Sequence, residues 1–178
     1  MFIGRHPLWQ ALPAQDVSSR DTCVNILPRL FKRCRFAPGT VNADLGGGRF
    51  DTATAWLASL GVENLVWDPH WRSLGHNAAV AARVSGGRAD TATVANVLNV
   101  IREADARAHV VALAADAVGT RGVAYFQVYE GDGTGAGRRT ARGWQENRPL
   151  ASYLDEIARH FRRVEAAAGI VAARNPLQ

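Results

Sequence analysis

Lysine, cysteine and long apolar runs are almost missing from this chain, and each shortage narrows what the protein can be. Lys32 is the only lysine, so arginine carries the basic side of a net charge of +5. Two origins fit that bias: a GC-rich genome favouring Arg and Ala codons, or a phosphate-bearing partner gripped by bidentate guanidinium groups. Clustering favours the second, because Arg20, Arg29, Lys32, Arg33 and Arg35 precede residue 40, and Arg138, Arg139, Arg142 and Arg148 follow residue 130. Cys23 and Cys34, the only cysteines, stand about three helical turns apart, roughly 16 Å, beyond disulfide reach. Both are expected to be reduced and structural. No Cys/His group has zinc-ligand spacing, so no metal is expected, and His76, His109 and His160 are dispersed. No run of about 18 apolar residues is present to span a bilayer. Met1 to Pro7 has no apolar signal core. The expectation is a cytoplasmic protein without a membrane partner.

What is present is enough for one domain: 178 residues, 47% of them hydrophobic. The organisation expected is an N-terminal arm and helix over 1–36 and a cofactor-binding core over 37–178. In the arm, Trp9 serves packing or forms a flap. Val24, Leu27, Leu30, Phe31 and Cys34 recur at helical spacing after a Ser19 or Asp21 cap. Pro28 inside that stretch implies a kink or two short helices. The centre of the chain is Val41-Asn42-Ala43-Asp44-Leu45-Gly46-Gly47-Gly48. It reads as a strand over 40–44, a triple-glycine turn and a helix from Arg49 to Leu60 whose inner side carries Phe50, Ala53, Trp56, Leu57 and Leu60. A second strand, Val62 to Trp67, ends at Asp68-Pro69 and completes a right-handed βαβ unit.

A helix over 73–84, a strand over 91–98, a helix over 103–117 and a strand over 123–129 follow. Gly131 to Arg148 is a glycine- and arginine-rich loop too long for a connector. A helix over 153–161 leads to an antiparallel pair, 164–165 with 170–173, turned at Gly169. The class implied is α/β, a three-layer sandwich with a mostly parallel sheet and a C-terminal antiparallel hairpin.

Glycines between a strand-end carboxylate and a helix let a ligand approach the backbone closely. Together with that turn, Asp68 stands about 24 residues after Asp44, Val94-Ala95-Asn96-Val97-Leu98-Asn99 forms a fourth-strand motif, and Gly119-Thr120-Arg121-Gly122 turns into a fifth strand. In this order the segments resemble the class I S-adenosylmethionine-dependent methyltransferases over residues 36–175. The resemblance implies S-adenosylmethionine as cofactor, held by Asp44, Gly46, Gly47, Gly48, Asp68, Pro69, Asn96 and Val97. Asp68 would accept the ribose hydroxyls, and Asp44 would orient the loop and meet the methionyl amine directly or through water. Two departures are visible. Phe50 replaces the family's third glycine, and only about 22 residues separate Asp68 from the next strand, so the family's third strand and one helix are absent. The family's adenine-contacting acid then has Asp90 as its candidate. A NAD-type loop fits less well, because Phe50 also breaks G-x-G-x-x-G.

On the acceptor side, Asn96 and Glu130 are the catalytic candidates, and Tyr129, Arg138, Arg139, Trp144 and Asn147 are the substrate-binding candidates. Charge, a stacking ring and amides suit a phosphate backbone and a base. Asn96 is followed by Val97-Leu98 rather than Pro-Pro and an aromatic, and neither cysteine sits as a cytosine-attacking nucleophile. Both DNA-base chemistries are disfavoured on that ground. The readings are a methyltransferase whose acceptor is DNA, RNA or nucleotide-like, one for a small molecule or protein, and a non-catalytic nucleic-acid-binding protein.

Overall fold

A computed structural model describes residues 7–9 and 25–177. The rest of the arm, Cys23 and the Ser19 or Asp21 cap lie outside the described residues. A 3₁₀ turn at Pro7–Trp9 is followed by α1 (Arg29–Arg33), β1 (Val41–Leu45), α2 (Thr52–Ser59) and β2 (Glu63–Trp67). Next come α3 (Leu74–Val84), β3 (Thr91–Ala95), α4 (Ala104–Val118) and β4 (Val123–Gln127). A separate hairpin, β5 (Gly137–Thr140) and β6 (Gly143–Glu146), precedes α5 (Leu154–Ala158), β7 (Phe161–Ala167) and β8 (Ile170–Pro176).

The main sheet runs β2-β1-β3-β4-β8-β7. It is parallel from β2 to β4, while β8 runs antiparallel to β4 and β7 antiparallel to β8. Side chains alternate cleanly across it. Ala43, Leu45, Ala92, Val94, Ala124 and Phe126 face the larger core under α3, α4 and α5, which also buries Trp9. Val123, Tyr125 and Ile170 face the smaller core under α1 and α2. The three-layer sandwich and its closing hairpin are as the sequence implies. Among the described residues no strand lies outboard of β2, and α3 leads straight from β2 to β3 across the far face.

That shortened edge leaves the outward backbone groups of β2 without a strand partner, and α3 supplies side chains instead. His76 Nε2 meets Val66 O at 2.8 Å. Asn77 accepts from Asp68 N at 3.1 Å and donates to Asp68 O at 2.8 Å.

Several boundaries differ from expectation for local reasons. Pro28 is the N-cap of α1, with ψ 144°, rather than an interior kink, because proline lacks the N–H that a helix interior needs. The second helix starts at Thr52, not Arg49, since the left-handed Gly48 (φ +74°) and the turn after it are still part of the loop. Leu60 lies past the helix and is exposed. The third strand stops at Ala95 because Asn96 turns left-handed, φ +59°. Part of the Gly131 to Arg148 loop is the β5–β6 hairpin, and Leu150–Tyr153 forms a 3₁₀ turn ahead of a short α5.

Candidate cofactor and acceptor site

The carboxyl ends of β1, β2, β3 and β4 converge on the glycine turn, the edge where open α/β sheets take ligands. Gly46 (φ +73°) receives its register from Trp67, whose carbonyl accepts from Gly46 N at 2.8 Å. Gly47 is demanded by what lies beneath it: an added Cβ would come within 2.6 Å of Asp44 Oδ2 and 2.9 Å of Val66 Cγ1. Val97 covers Gly46 in the same way, 2.6 Å from an added Cβ.

Asp44 is 2% exposed, so it supports the loop from below. It terminates a polar network buried between the sheet and α2. Asn42 donates to Asn64 and Thr93 at 2.7 and 3.0 Å, Thr91 donates to Asn42 at 2.7 Å, and Thr93 donates to Asp44 Oδ1 at 2.9 Å. Burial pushes the Asp44 carboxyl up to about 6 against the lowering hydrogen bonds from Thr93 and Asn64.

Asp68, 5% exposed, ties two loops together. Its Oδ2 accepts from Gly48 N at 2.9 Å, and its Oδ1 accepts from His70 N and Trp71 N at 2.9 and 3.0 Å. Arg72 closes the clamp by donating to Gly48 O at 3.2 Å and to the Asp51 carboxylate at 2.6 Å. Arg49 stacks on Phe50 and Trp71, 4.8 and 5.1 Å from their centroids, so Phe50 at the third-glycine position serves the loop's outer face. Pro69 is exposed beside this clamp. Asp90 is at the opposite edge of the sheet, where its carboxylate caps Val41 N at 2.8 Å. It cannot be the adenine contact.

On the acceptor side, Tyr129 is 63% exposed. Glu130 Oε1 accepts from Leu150 N at 2.8 Å, which makes it a cap on the turn behind the hairpin. Asn147 is buried and donates to Ala136 O at 3.1 Å, stapling the hairpin rather than facing a ligand. Trp144 is half-buried with the Arg102 guanidinium over its ring at 5.0 Å. Arg138 and Arg139 are exposed on β5. Asn96 sits between β3 and β4 in contact with Gln127. Arg72, Gln127 and the α3 pair His76 and Asn77 are site-shaping residues that sequence reasoning missed. Their only signal was a polar residue at a strand end, just ahead of a helix or in its first turn. Among the described residues, no group of three His, Cys, Asp or Glu side chains converges to hold a metal.

Solved structures share this architecture. Burkholderia thailandensis 1,6-didemethyltoxoflavin-N1-methyltransferase, with bound 1,6-didemethyltoxoflavin and S-adenosylhomocysteine, is 21% identical with a TM-score of 0.57, covering 78% of this chain and 72% of its own. The chain has the class I methyltransferase fold. The same fold is seen in Haemonchus contortus phosphoethanolamine N-methyltransferase 2, in complex with phosphomonomethylethanolamine and S-adenosylhomocysteine. That enzyme is 12% identical with a TM-score of 0.53, covering 76% of this chain and 36% of its own. An O-methyltransferase family protein from Burkholderia thailandensis is 18% identical with a TM-score of 0.50, covering 84% and 54%. The chain thus spans about half or less of the length of the latter two. No family model and no curated protein matches the sequence.

The residues at the edge fit the nucleoside-bearing donor that this fold takes elsewhere. A carboxylate offers about four acceptor positions, and Asp68 spends three on backbone N–H groups. One acceptor position on Oδ2 is left unfilled by these bonds, and a ribose hydroxyl would take it.

Proposed function

We propose that this protein transfers a methyl group from S-adenosylmethionine to a small-molecule acceptor. The observation that carries the reading is the direct bond from Gly48 N to Asp68 Oδ2, which joins the glycine turn and the strand-end acid at the carboxyl edge of a correctly ordered sheet. Gly46, Gly47, Gly48, Asp68, Pro69 and Val97 would surround the cofactor, which when bound supplies a methyl carbon already activated by a sulfonium. The rest of the catalysis is positioning. Tyr129 and Asn96 would face the acceptor. Asp44 acts through Gly47, and Asn147 and Glu130 act by building the hairpin's base.

A compact acceptor is supported by the hairpin's own bonds. Asn99 donates to Gln145 at 3.2 Å and Gln145 donates to Tyr129 O at 3.0 Å, so β6 is drawn in against the segments that follow β3 and β4. The neighbours with named acceptors bind heterocyclic or phosphoamine metabolites. A nucleotide or nucleic-acid acceptor is the second reading, favoured by Arg138 and Arg139 exposed on β5.

Calorimetry with S-adenosylhomocysteine tests the cofactor: wild type binds, and Asp68→Ala loses at least tenfold in affinity. Unchanged affinity removes Asp68 from the site. Methyl-labelled S-adenosylmethionine with a cell extract, fractionated into metabolites, DNA, RNA and protein, tests the acceptor, and label confined to the metabolites is the expected result. Nucleic-acid binding that weakens with salt, without any cofactor affinity, would replace the enzyme reading with that of a binding protein.

A further inference from the structure

Three hydrogen bonds between α1, β4 and the end of β3 decide what the acceptor side can offer. A backbone N–H can only donate. The bond from Leu30 N to Gln127 Oε1, 2.8 Å, therefore fixes which end of the Gln127 amide faces α1. The opposite end, Nε2, donates to Asn96 Oδ1 at 3.2 Å, and Asn96 N donates to Gln127 O at 2.8 Å. Gln127 is buried, which denies water the same role. The Asn96 amide is oriented in turn. Its oxygen is occupied on the Gln127 side, and its Nδ2 hydrogens point away.

Among the described residues nothing accepts those hydrogens, and on the half-buried Asn96 the Nδ2 remains open to a ligand or solvent. Asparagine tolerates the left-handed backbone that places it here, φ +59°. The next residue, Val97, lies against Gly46. The donor hydrogens are therefore held at the rim between the glycine turn and β4.

Building on the methyltransferase reading, we propose that Asn96 is a specificity-determining donor that hydrogen-bonds a lone pair of the methyl acceptor, with Gln127 as its positioning residue. The site then takes acceptors that carry a carbonyl oxygen, ring imine nitrogen or oxyanion beside the atom to be methylated. An amine that must surrender a proton to a side-chain carbonyl finds none at position 96. In the transfer, a lone pair on the acceptor nitrogen or oxygen forms the bond to the methyl carbon while the carbon–sulfur bond breaks. The electron pair of that bond stays on sulfur as a neutral thioether. An acidic N–H or O–H on the acceptor gives its proton to water.

The orientation is tested without a ligand by Asn96→Asp in the full chain. With Gln127 Nε2 facing it, the introduced carboxyl titrates below the usual aspartate range by carbon-13 NMR, and adding Gln127→Met raises it. A carboxyl that does not rise on that second substitution overturns the relay. The specificity is tested with methyl-labelled S-adenosylmethionine and a metabolite extract. Labelled products carry the methyl beside a carbonyl, imine nitrogen or oxyanion, and Asn96→Asp lowers their formation at least tenfold. A methylated aliphatic amine as product, or an equal loss of S-adenosylhomocysteine affinity in Asn96→Asp, overturns the assignment. Failure of wild type to bind S-adenosylhomocysteine removes the methyltransferase reading, while the carboxyl titration still judges the relay.

Discussion

Asp44 is a carboxylate that the fold keeps where water does not reach it, at the end of a line of Asn and Thr side chains. Its folded-state value of about 6 lies above the 3.8 of an ordinary aspartate. The folded state therefore holds its proton more tightly, and the protein loses stability as pH rises between about 4 and 6. Asp44→Asn removes that loss: thermal melts should show the variant more stable than wild type at pH 8, by on the order of 3 kcal/mol, with the gap closing near pH 4. A gap that persists at pH 4 would mean that packing, not charge, is responsible. Asp44 and Asp68 were legible in the sequence because strand-end acids beside glycines have a chemical use. Gln127 and Arg72 were not, because their partners, Leu30 N and Gly48 O, are brought to them only by the fold. The buried polar face was half legible. V-N-A-D-L and T-A-T-V-A alternate as strands do, but alternation alone places the polar side in water, whereas α2 covers it.

At the scale of elements, the hairpin is fastened by one half-buried carboxylate. Glu156 on α5 takes bonds from Arg107 Nε at 2.8 Å and from Arg148 at 2.6 Å, while Arg107 also donates to Ile101 O and Arg102 O. Burial works to raise the Glu156 carboxyl, but the hydrogen bonds from Arg107 and Arg148 outweigh it and hold it below the ordinary 4.5. The sign is opposite to that of Asp44: this stabilisation is present above the unfolded value and is lost as pH falls through the folded one. Glu156→Gln leaves two guanidinium groups poorly paired and should cost about 3 kcal/mol. The Tm should fall and limited proteolysis should quicken between residues 131 and 147. Cleavage unchanged from wild type there would detach the hairpin from this network. Asn77 is the comparable fastener at the other side of the sheet. Asn77→Ala strips the cap from both Asp68 backbone groups and should cost about 2 kcal/mol, read by urea titration. The hairpin itself escaped the sequence because Gly131, Gly133 and Gly135 mask short strands, and only four pairings, from Gly137–Glu146 to Thr140–Gly143, define it.

For the whole molecule, both apolar cores lie on opposite faces of one sheet, and the strands that feed them are shared. Unfolding should therefore be a single transition in denaturant, with coincident far-ultraviolet and tryptophan signals. Separated midpoints would mean that the α1–α2 face melts on its own. The strand order was legible because the glycine turn, Asp68 and the two later strands come in a fixed sequence, and the short spacing after Asp68 announced the missing strand. What replaces that strand was not legible, since His76 and Asn77 look like ordinary members of a helix.

Those two side chains give β2 a partner on one side only, with helix caps on the other. Odd-numbered residues of β2 point their amides at β1, whereas Asn64 and Val66 point theirs at the open edge. In deuterated water, amides along this strand should consequently trade hydrogen in a two-beat rhythm, slow at Leu65 and Trp67 and fast at Asn64 and Val66, with Asp68 slow again under its asparagine cover.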